Sequence, residues 1–484
     1  DFLRRFDSSG RLPRDVQKQA LNWISANWSS KVLCLNLPVA TGKSAIAKAI
    51  ADATNGHIIT PSNILIDQYT ADYPKHNFLK GKQHYTCGMM GISCHTWTNE
   101  CEQTPCAECP YVRNKTKALD ESTFFNPMSL FYLTMDPRWT PPRTLIVDEA
   151  HQLGSMLLML AGFSIPYSTF RFPKNCTNEL VLLGWLDKQI EGLKRQIKLH
   201  LRDKKKLMVL SNDLQSFTNT RNGVAEDPQN YAIWTSKGTL RRRPELFLNV
   251  KPLTPPRSLV NKLLDSRNLI LMSGTLFPTD IRDLIGDVPY RFLDLPSPIP
   301  KENRPVLYRP VTYPMNMHTP PKLIVASIEA ILDKHPGENA IIHVTYSLSE
   351  QLRSHFTRPI IYNDKTNKDA IVDHFKKHGG VFLAAGCAEG LDLKNDMCRV
   401  NIIPKLPYPN LGDPVVAKRR KLIDGQDWYD MCIFKTLIQQ VGRSTRTETD
   451  RSTSYILDPN FMRKFRECYS KLPQSFKESV ITTV

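Results

Sequence analysis

Short apolar blocks alternate along the chain with stretches whose apolar residues recur every three or four positions. Lys31 to Leu37 (Val32, Leu33, Leu35, Leu37), Arg143 to Val147 and Asn268 to Met272 have the length of buried strands. Val16, Ala20, Leu21 and Ile24 fall at helical spacing ahead of the first block, and Ala45 to Ala53 is a helix pattern after it. His57-Ile-Ile-Thr-Pro-Ser62 predicts a further strand ending in a polar loop, with a helix carrying Gln68 behind it. Phe124 to Leu133 returns to a strand and then a helix before the block at Arg143.

A different pattern follows. No proline occurs from Lys174 to Asp227, and Leu186, Ile190, Leu193, Ile197 and Leu201 form one helical stripe, flanked by Lys194, Arg195, Lys198, Arg202 and Lys204 to Lys206. This predicts a helical insertion with one packed stripe and one basic face. Tyr231 to Leu253 reads as strand pieces with Arg241-Arg-Arg243 between them. Val288 to Pro321 is proline-rich and weak in pattern, which places a lobe boundary there. Beyond it Asn339 to Val344, Gly379 to Ala385, Arg399 to Ile403 and Thr453 to Leu457 are strand blocks separated by helical patterns. Strands alternating with helices predict parallel sheets, so the expected fold class is α/β, with two lobes in series.

The polar residues that carry chemistry sit where the blocks end. Asn36-Leu-Pro-Val-Ala-Thr-Gly-Lys-Ser44 lies between strand and helix, as a phosphate-binding loop does. Loop and helix N–H groups around Thr41 and Gly42 would face the anion, Lys43 would reach the terminal phosphates, and Ser44 would offer a hydroxyl to Mg²⁺. Leu37 stands where the glycine-rich pattern has its first glycine. Asp148-Glu149-Ala150-His151 closes the strand at Arg143, so Asp148 would complete the metal shell and Glu149 would polarise the attacking water. Arg14 and Gln17 precede the first strand, where an arginine can order the phosphate loop and a glutamine can read an adenine edge. Thr60 and its loop can hold a sugar–phosphate backbone. In the second half Gly386-Cys-Ala-Glu-Gly-Leu-Asp392 follows a strand, and Gln439 to Arg446 lies on or just after a helix. Three apart on a helix, Arg443 and Arg446 would share a face and aim two guanidinium groups at one phosphoryl group.

Composition narrows the partners. With 41% hydrophobic and 23% charged residues, the 484-residue chain has an ordinary soluble make-up and room for two to four domains. Its net charge of +17 fits a polyanion, nucleic acid being the commonest. The longest apolar stretch, around Met156 to Phe163, is too short for a bilayer, and the first residues lack a signal-peptide core, so no membrane and a cytoplasmic setting are expected. The chain starts at Asp1 rather than Met, as a trimmed polypeptide would. Eleven cysteines in such a setting are not a disulfide framework. Cys87, Cys94, Cys101, Cys106 and Cys109 instead have the spacing of thiolate ligands, and Cys106-Ala-Glu-Cys109 suits zinc or an iron–sulfur cluster equally.

Taken together and in order, these stretches resemble a superfamily 2 helicase of the XPD/DinG branch over nearly the whole length. Pro38 to Ser44 is similar to motif I, where the family often has Pro-Ser-Gly-Thr-Gly-Lys-Thr; Asp148 to His151 is similar to motif II and Ser273-Gly-Thr-Leu-Phe-Pro278 to motif III. Ala388 to Asp392 resembles motif V, and Gln439 to Arg446 motif VI. The resemblance implies two RecA-like parallel-sheet lobes, the first built from 1–77, 124–164 and 256–290 and the second from 291–484. It implies an iron–sulfur insertion over 78–123 and an arch-like helical insertion over 165–255. Cys87, Cys101, Cys106 and Cys109 would hold a [4Fe–4S] cluster, with Cys94 as the substitute for Cys101. The implied activity is that of an ATP-dependent 5′→3′ DNA helicase using ATP and Mg²⁺, with Lys43, Asp148, Glu149, Gln439, Arg443 and Arg446 catalytic. Arg14, Gln17, Thr41, Gly42, Ser44, Gly390 and Asp392 would contact nucleotide, and Thr60, His151, Ser273 and Thr275 would couple it to DNA. Single-stranded DNA and forks are the implied partners of a monomer working in the cytoplasm of a bacterial or phage-infected cell, or in a nucleus. Two other readings remain at this stage: a DEAH-type RNA helicase with a zinc module, and a nucleic-acid-dependent ATPase switch that does not unwind.

Overall fold

Seven parallel strands make the first sheet, and their burial explains their composition. The computed structural model describes residues 2–7, 12–87, 109–200, 204–316, 318–387, 391, 393 and 395–482. The first strands are β1 (Val32–Asn36), β2 (His57–Ile59), β3 (Asn77–Leu79), β4 (Thr123–Phe125) and β5 (Thr144–Val147). The chain then leaves the sheet for β6 (Phe163–Pro166), β7 (Tyr231–Leu240) and β8 (Arg243–Pro252), and returns with β9 (Asn268–Ser273) and β10 (Tyr290–Asp294). The order β10-β1-β9-β5-β2-β4-β3 puts β1, β9 and β5 side by side in the interior. All three are buried throughout, which demands side chains that are apolar on both faces rather than alternating. Val32 and Cys34 enter the core on one face, and Leu33 and Leu35 the core on the other.

The edges of this sheet were harder to read. Residues of β10 pair with β1 from Val32↔Tyr290 to Asn36↔Asp294, so the first sheet runs past the expected lobe boundary at 290. At the other edge β3 pairs with β4, inside the stretch 78–123 expected for the cysteine-rich insertion. Tyr290, Arg291 and Phe292 are exposed and β3 is half-buried. An edge strand with mixed side chains carries little apolar signal.

The insertion expected over 165–255 combines helices with strands. Helices Glu179–Leu199 and Lys204–Glu226 pack together over the antiparallel sheet β6-β8-β7. The expected stripe is its core: Leu186, Ile190 and Leu193 are buried with Phe217, Leu248 and Val250, and Ile197 packs at the margin. Leu201 lies outside the described residues.

The second lobe is another seven-stranded parallel sheet: β11 (Val306–Tyr308), β12 (Ala340–Val344), β13 (Ile361–Tyr362), β14 (Val381–Ala385), β15 (Val400–Ile403), β16 (Thr453–Ile456) and β17 (Val480–Ile481), in the order β13-β14-β12-β15-β16-β11-β17. Its helix Gly425–Val441 lies between the lobes. Phe277, a first-lobe residue just beyond β9, is fully buried in the second lobe's core with Ile433, Phe434 and Leu437. The lobes therefore share apolar packing as well as polar contacts.

Candidate active site

β1 hands the chain directly to the phosphate loop. Leu37 is fully buried and its N–H donates to the Ser273 carbonyl at 2.6 Å, so the position of the absent glycine is an extension of the core. The sharp turn comes later, with left-handed backbone at Ala40 (φ 67°) and Gly42 (φ 77°). Buried Thr41 pins it, donating its N–H and its hydroxyl to the Pro38 carbonyl at 3.3 and 2.7 Å. Gly42 needs glycine for two reasons: its positive φ, and a Cβ that would fall 2.4 Å from Gln17 Nε2 and 2.7 Å from Arg14 Nη2. Gln17 is itself buried, with its amide donating to the Gly42 carbonyl at 3.5 Å and its Oε1 accepting from the Arg14 N–H at 2.9 Å. Arg14 and Gln17 thus brace the loop. Helix Lys43–Thr54 begins immediately after it, with Ser44 half-buried in its first turn.

The acidic pair closes β5. Asp148 is buried; one carboxylate oxygen accepts from the Tyr69 hydroxyl and the other from the Glu149 N–H, each at 2.9 Å. Burial first, and then the neighbouring Glu149 charge, push the Asp148 carboxyl up to about 6. That is the behaviour of a carboxylate short of positive charge, and a divalent cation bound by Asp148 and Ser44 would supply it. Glu149 has left-handed backbone (φ 49°), and its Oε1 lies 3.5 Å from Lys43 Nζ. Burial pushes its carboxyl up, but Lys43 and the His151 hydrogen bond outweigh burial and hold it below the usual range. The two carboxylates are driven apart, one toward the proton and one away from it.

A chain of hydrogen bonds leads from Glu149 to the other lobe. Gln439 Nε2 stands 2.7 Å from His151 Nε2, and an amide N–H can only donate, so the imidazole proton sits on Nδ1. That nitrogen is 2.7 Å from Ser273 Oγ, which also receives the Thr275 N–H at 3.1 Å. With both lone pairs occupied, the Ser273 hydroxyl donates to Glu149 Oε2 at 3.3 Å. Arg443 and Arg446 approach from the same lobe as Gln439, and both donate to the Leu391 carbonyl, at 3.1 and 3.0 Å. Arg14, Lys43, Glu149, His151, Gln439, Arg443 and Arg446 line one interlobe cavity of about 1110 Å³, room enough for a nucleotide.

A model described as the helicase C-terminal domain matches residues 329–479. ATP-dependent DNA helicase YoaA of Escherichia coli (strain K12) is 28% identical over 147 residues, 28% of this chain and 23% of that protein. The regulator of telomere elongation helicase 1 homolog of Drosophila melanogaster is 34% identical over 97 residues, 17% of this chain and 10% of that protein. These matches span less than a third of the curated relatives' lengths. A solved XPD helicase superposes over 97% of this chain and 99% of its own, with TM-score 0.61 at 13% identity, which establishes the shared fold. The second lobe is thus similar in sequence to a helicase C-terminal domain, and the chain as a whole shares the fold of the solved XPD helicase.

In family terms, motifs I, II, III and VI converge on the cavity. Arg443 and Arg446 lie just after helix Gly425–Val441, so helical spacing is not what brings them together. Buried Ser444 instead donates to Asn401 Oδ1 at 3.0 Å, and Asp450 accepts the Arg446 and Thr447 N–H groups at 2.8 and 3.0 Å. Those bonds turn the chain so that both guanidinium groups meet at Leu391. Thr60 does not fit its expected DNA contact: it is fully buried and its hydroxyl donates to the Ser62 carbonyl at 3.1 Å. Gly390 and Asp392 of motif V, and Cys94, Cys101 and Cys106, lie outside the described residues. Cys87 and Cys109 flank the latter segment, Cys109 buried and Cys87 half-buried. Tyr85 packs edge-on against Tyr111 at 5.5 Å, which holds both ends of the segment on one side of the first lobe. Tyr69 was not legible as a site residue. Its place beside Ile66 on the buried face of helix Asn63–Asp72 is the ordinary signature of a core tyrosine, and its bond to Asp148 needs the sheet order.

Proposed function

We propose that the chain is an ATP-dependent DNA helicase, moving 5′→3′ on single-stranded DNA and separating duplex as ATP is hydrolysed between its lobes. The observation that carries this reading is the continuous chain Gln439–His151–Ser273–Glu149, through which second-lobe position governs the orientation of the carboxylate beside Lys43. Lys43 and the loop N–H groups bind the phosphates. Asp148 and Ser44 would hold Mg²⁺, which would supply positive charge beside the phosphates. Glu149, kept ionised, accepts the proton of the attacking water. Arg443 and Arg446 exchange the Leu391 carbonyl for phosphoryl oxygens as the lobes close, so hydrolysis and closure are one event. The net charge of +17 supports an electrostatic grip on a polyanion, and the resemblance supplies DNA and the polarity.

The same reading places a [4Fe–4S] cluster on Cys87, Cys109, Cys106 and either Cys101 or Cys94. Cys87 and Cys109 fit it in being thiols on either side of the segment, tied by the Tyr85–Tyr111 contact. A cluster held there would supply a covalent cross-link between the two ends of the segment. The deciding experiment is strand displacement on forks with a single 5′ or 3′ tail, run with ATPase assays on DNA and RNA and with iron and zinc counts on the same sample. Displacement from the 5′-tailed fork alone, DNA-stimulated turnover and about four irons per chain are expected. RNA-only stimulation with zinc would overturn the substrate and the cluster together. Turnover without displacement would leave an ATPase switch.

A further inference from the structure

The insertion carries a feature that neither the nucleotide cavity nor the hydrophobic core accounts for. β7 and β8 form a hairpin paired from Tyr231↔Pro252 out to Leu240↔Arg243, so its turn is the two residues Arg241 and Arg242. Its inner half is packed, with Tyr231, Ala232, Leu248 and Val250 buried. Its outer half is not: Thr235, Lys237, Gly238, Thr239, Arg241, Arg242, Arg243, Pro244 and Leu246 are all exposed. Strand pairs that bury no apolar face gain little from extending so far into water.

The turn sharpens the point. Arg241 and Arg242 have φ of 49° and 67°, the two-residue arrangement that glycine and asparagine adopt readily and arginine does not. The sequence thus keeps charge where the backbone disfavours it, the kind of outlier that marks a function. Five cationic side chains stand on the hairpin against one carboxylate, Glu245. Glu245 is engaged inward, accepting from the Leu246 N–H at 3.0 Å and the Ser168 N–H at 3.4 Å. Among the described residues none of Arg241, Arg242 and Arg243 has a carboxylate partner. At its root the hairpin touches the second lobe, where Lys418 donates to the Tyr231 carbonyl. The hairpin's base is therefore tied to the second lobe.

We propose that the Arg241–Arg243 tip binds the phosphate backbone of DNA at the fork, a second contact outside the cleft. This rests on the helicase reading for its partner, and three adjacent guanidinium groups on a slender two-stranded ribbon match a row of phosphates. The test measures fork and single-strand affinity of the full chain by fluorescence anisotropy, without ATP, over a salt series. R241A/R242A/R243A should weaken fork binding about tenfold or more and lower the slope of log affinity against log salt by about 2 to 3. R241N/R242G, which suits the turn, should raise Tm while still weakening fork binding, and an all-lysine tip should restore most of it. Unchanged fork affinity and slope in the alanine variant would overturn the proposal, as a tip built for an acidic protein surface would give. A loss confined to single strands would overturn the fork assignment. DNA-stimulated ATPase, run alongside, separates the two readings: its absence from the unaltered chain refutes the helicase, while tip binding is still read without nucleotide.

Discussion

Helix Gly425–Val441 meets the first lobe at both of its ends, and the two meetings are built from opposite materials. Around its start two cation–carboxylate pairs cross between the lobes, Arg419–Asp283 and Arg282–Asp424, both at 2.7 Å, and farther along the helix Lys435 pairs with Asp280. Arg419 is almost wholly buried, also donates to Asp424 at 2.6 Å, and stacks over Trp428 at 5.3 Å. Burial pushes the Asp283 carboxyl up even with Arg419 beside it, whereas the Arg419 hydrogen bonds hold Asp424 down. Toward the far end, about 20 Å away along the axis, the lobes are joined by the neutral Gln439–His151 hydrogen bond and the solvent-open Arg14–Glu448 pair. Buried ion pairs are costly to separate and exposed or neutral contacts are cheap. On that basis the buried Arg419 cluster is the firmer contact, the holding end, and the Gln439 contact is the one expected to part first, the opening end.

The largest effect expected at the opening end is chemical. Glu149→Gln keeps the shape and removes the base, so turnover should fall by about 10² to 10⁴-fold, with Tm unmoved in thermal unfolding. A variant that keeps full turnover would show that Glu149 is not the base. At the holding end the effect is on stability. Arg419→Ala strands the mostly buried Asp283 and leaves Asp424 with Arg282 alone, and should cost about 3–5 kcal/mol, read by urea unfolding of the full chain. A cost below about 1 kcal/mol, on the scale of a surface pair, would abolish the contrast. Phe277→Ala separates packing from charge at the same interface, and its lost burial should cost about 3–5 kcal/mol without altering the salt dependence of stability.

Why one end was legible and the other was not follows from the physics of each. The interior strands β1, β5 and β9 are buried on both faces, so their apolar runs announce them, and with them the positions at their carboxyl ends. Lys43, Asp148, Glu149, His151 and Ser273 came together as expected because sheet order alone assembles them. Edge strands β3 and β10 gave no such run, and the lobe boundary moved accordingly. The Arg419 cluster gave no signal at all: Asp280, Arg282, Asp283, Arg419 and Asp424 look like solvated helix faces until the lobes are docked. Thr60 erred in the other direction, since a polar residue at a strand end can serve its own backbone as well as a ligand. Arg443 and Arg446 were placed correctly in space for a reason other than helical spacing, namely Asn401 and Asp450 pulling the chain round after the helix stops.

The smallest expected effects separate coupling from adhesion at the opening end. Gln439→Ala removes one neutral hydrogen bond and should cost about 1 kcal/mol of stability or less. Its effect on DNA-stimulated turnover should be far larger than on stability, because the lost bond ties the second lobe to the His151–Ser273–Glu149 chain. Glu448→Ala breaks the Arg14 pair, whose side chains are 42% and 51% exposed, and should leave Tm unchanged. If the opening end is held only by such contacts, removing this pair should ease opening, so that nucleotide release quickens at low salt and the difference from the unaltered chain vanishes as salt screens the pair. Equal release rates at all salt concentrations would mean that Gln439 and His151 alone set the gap, and that Arg14 serves only the phosphate loop.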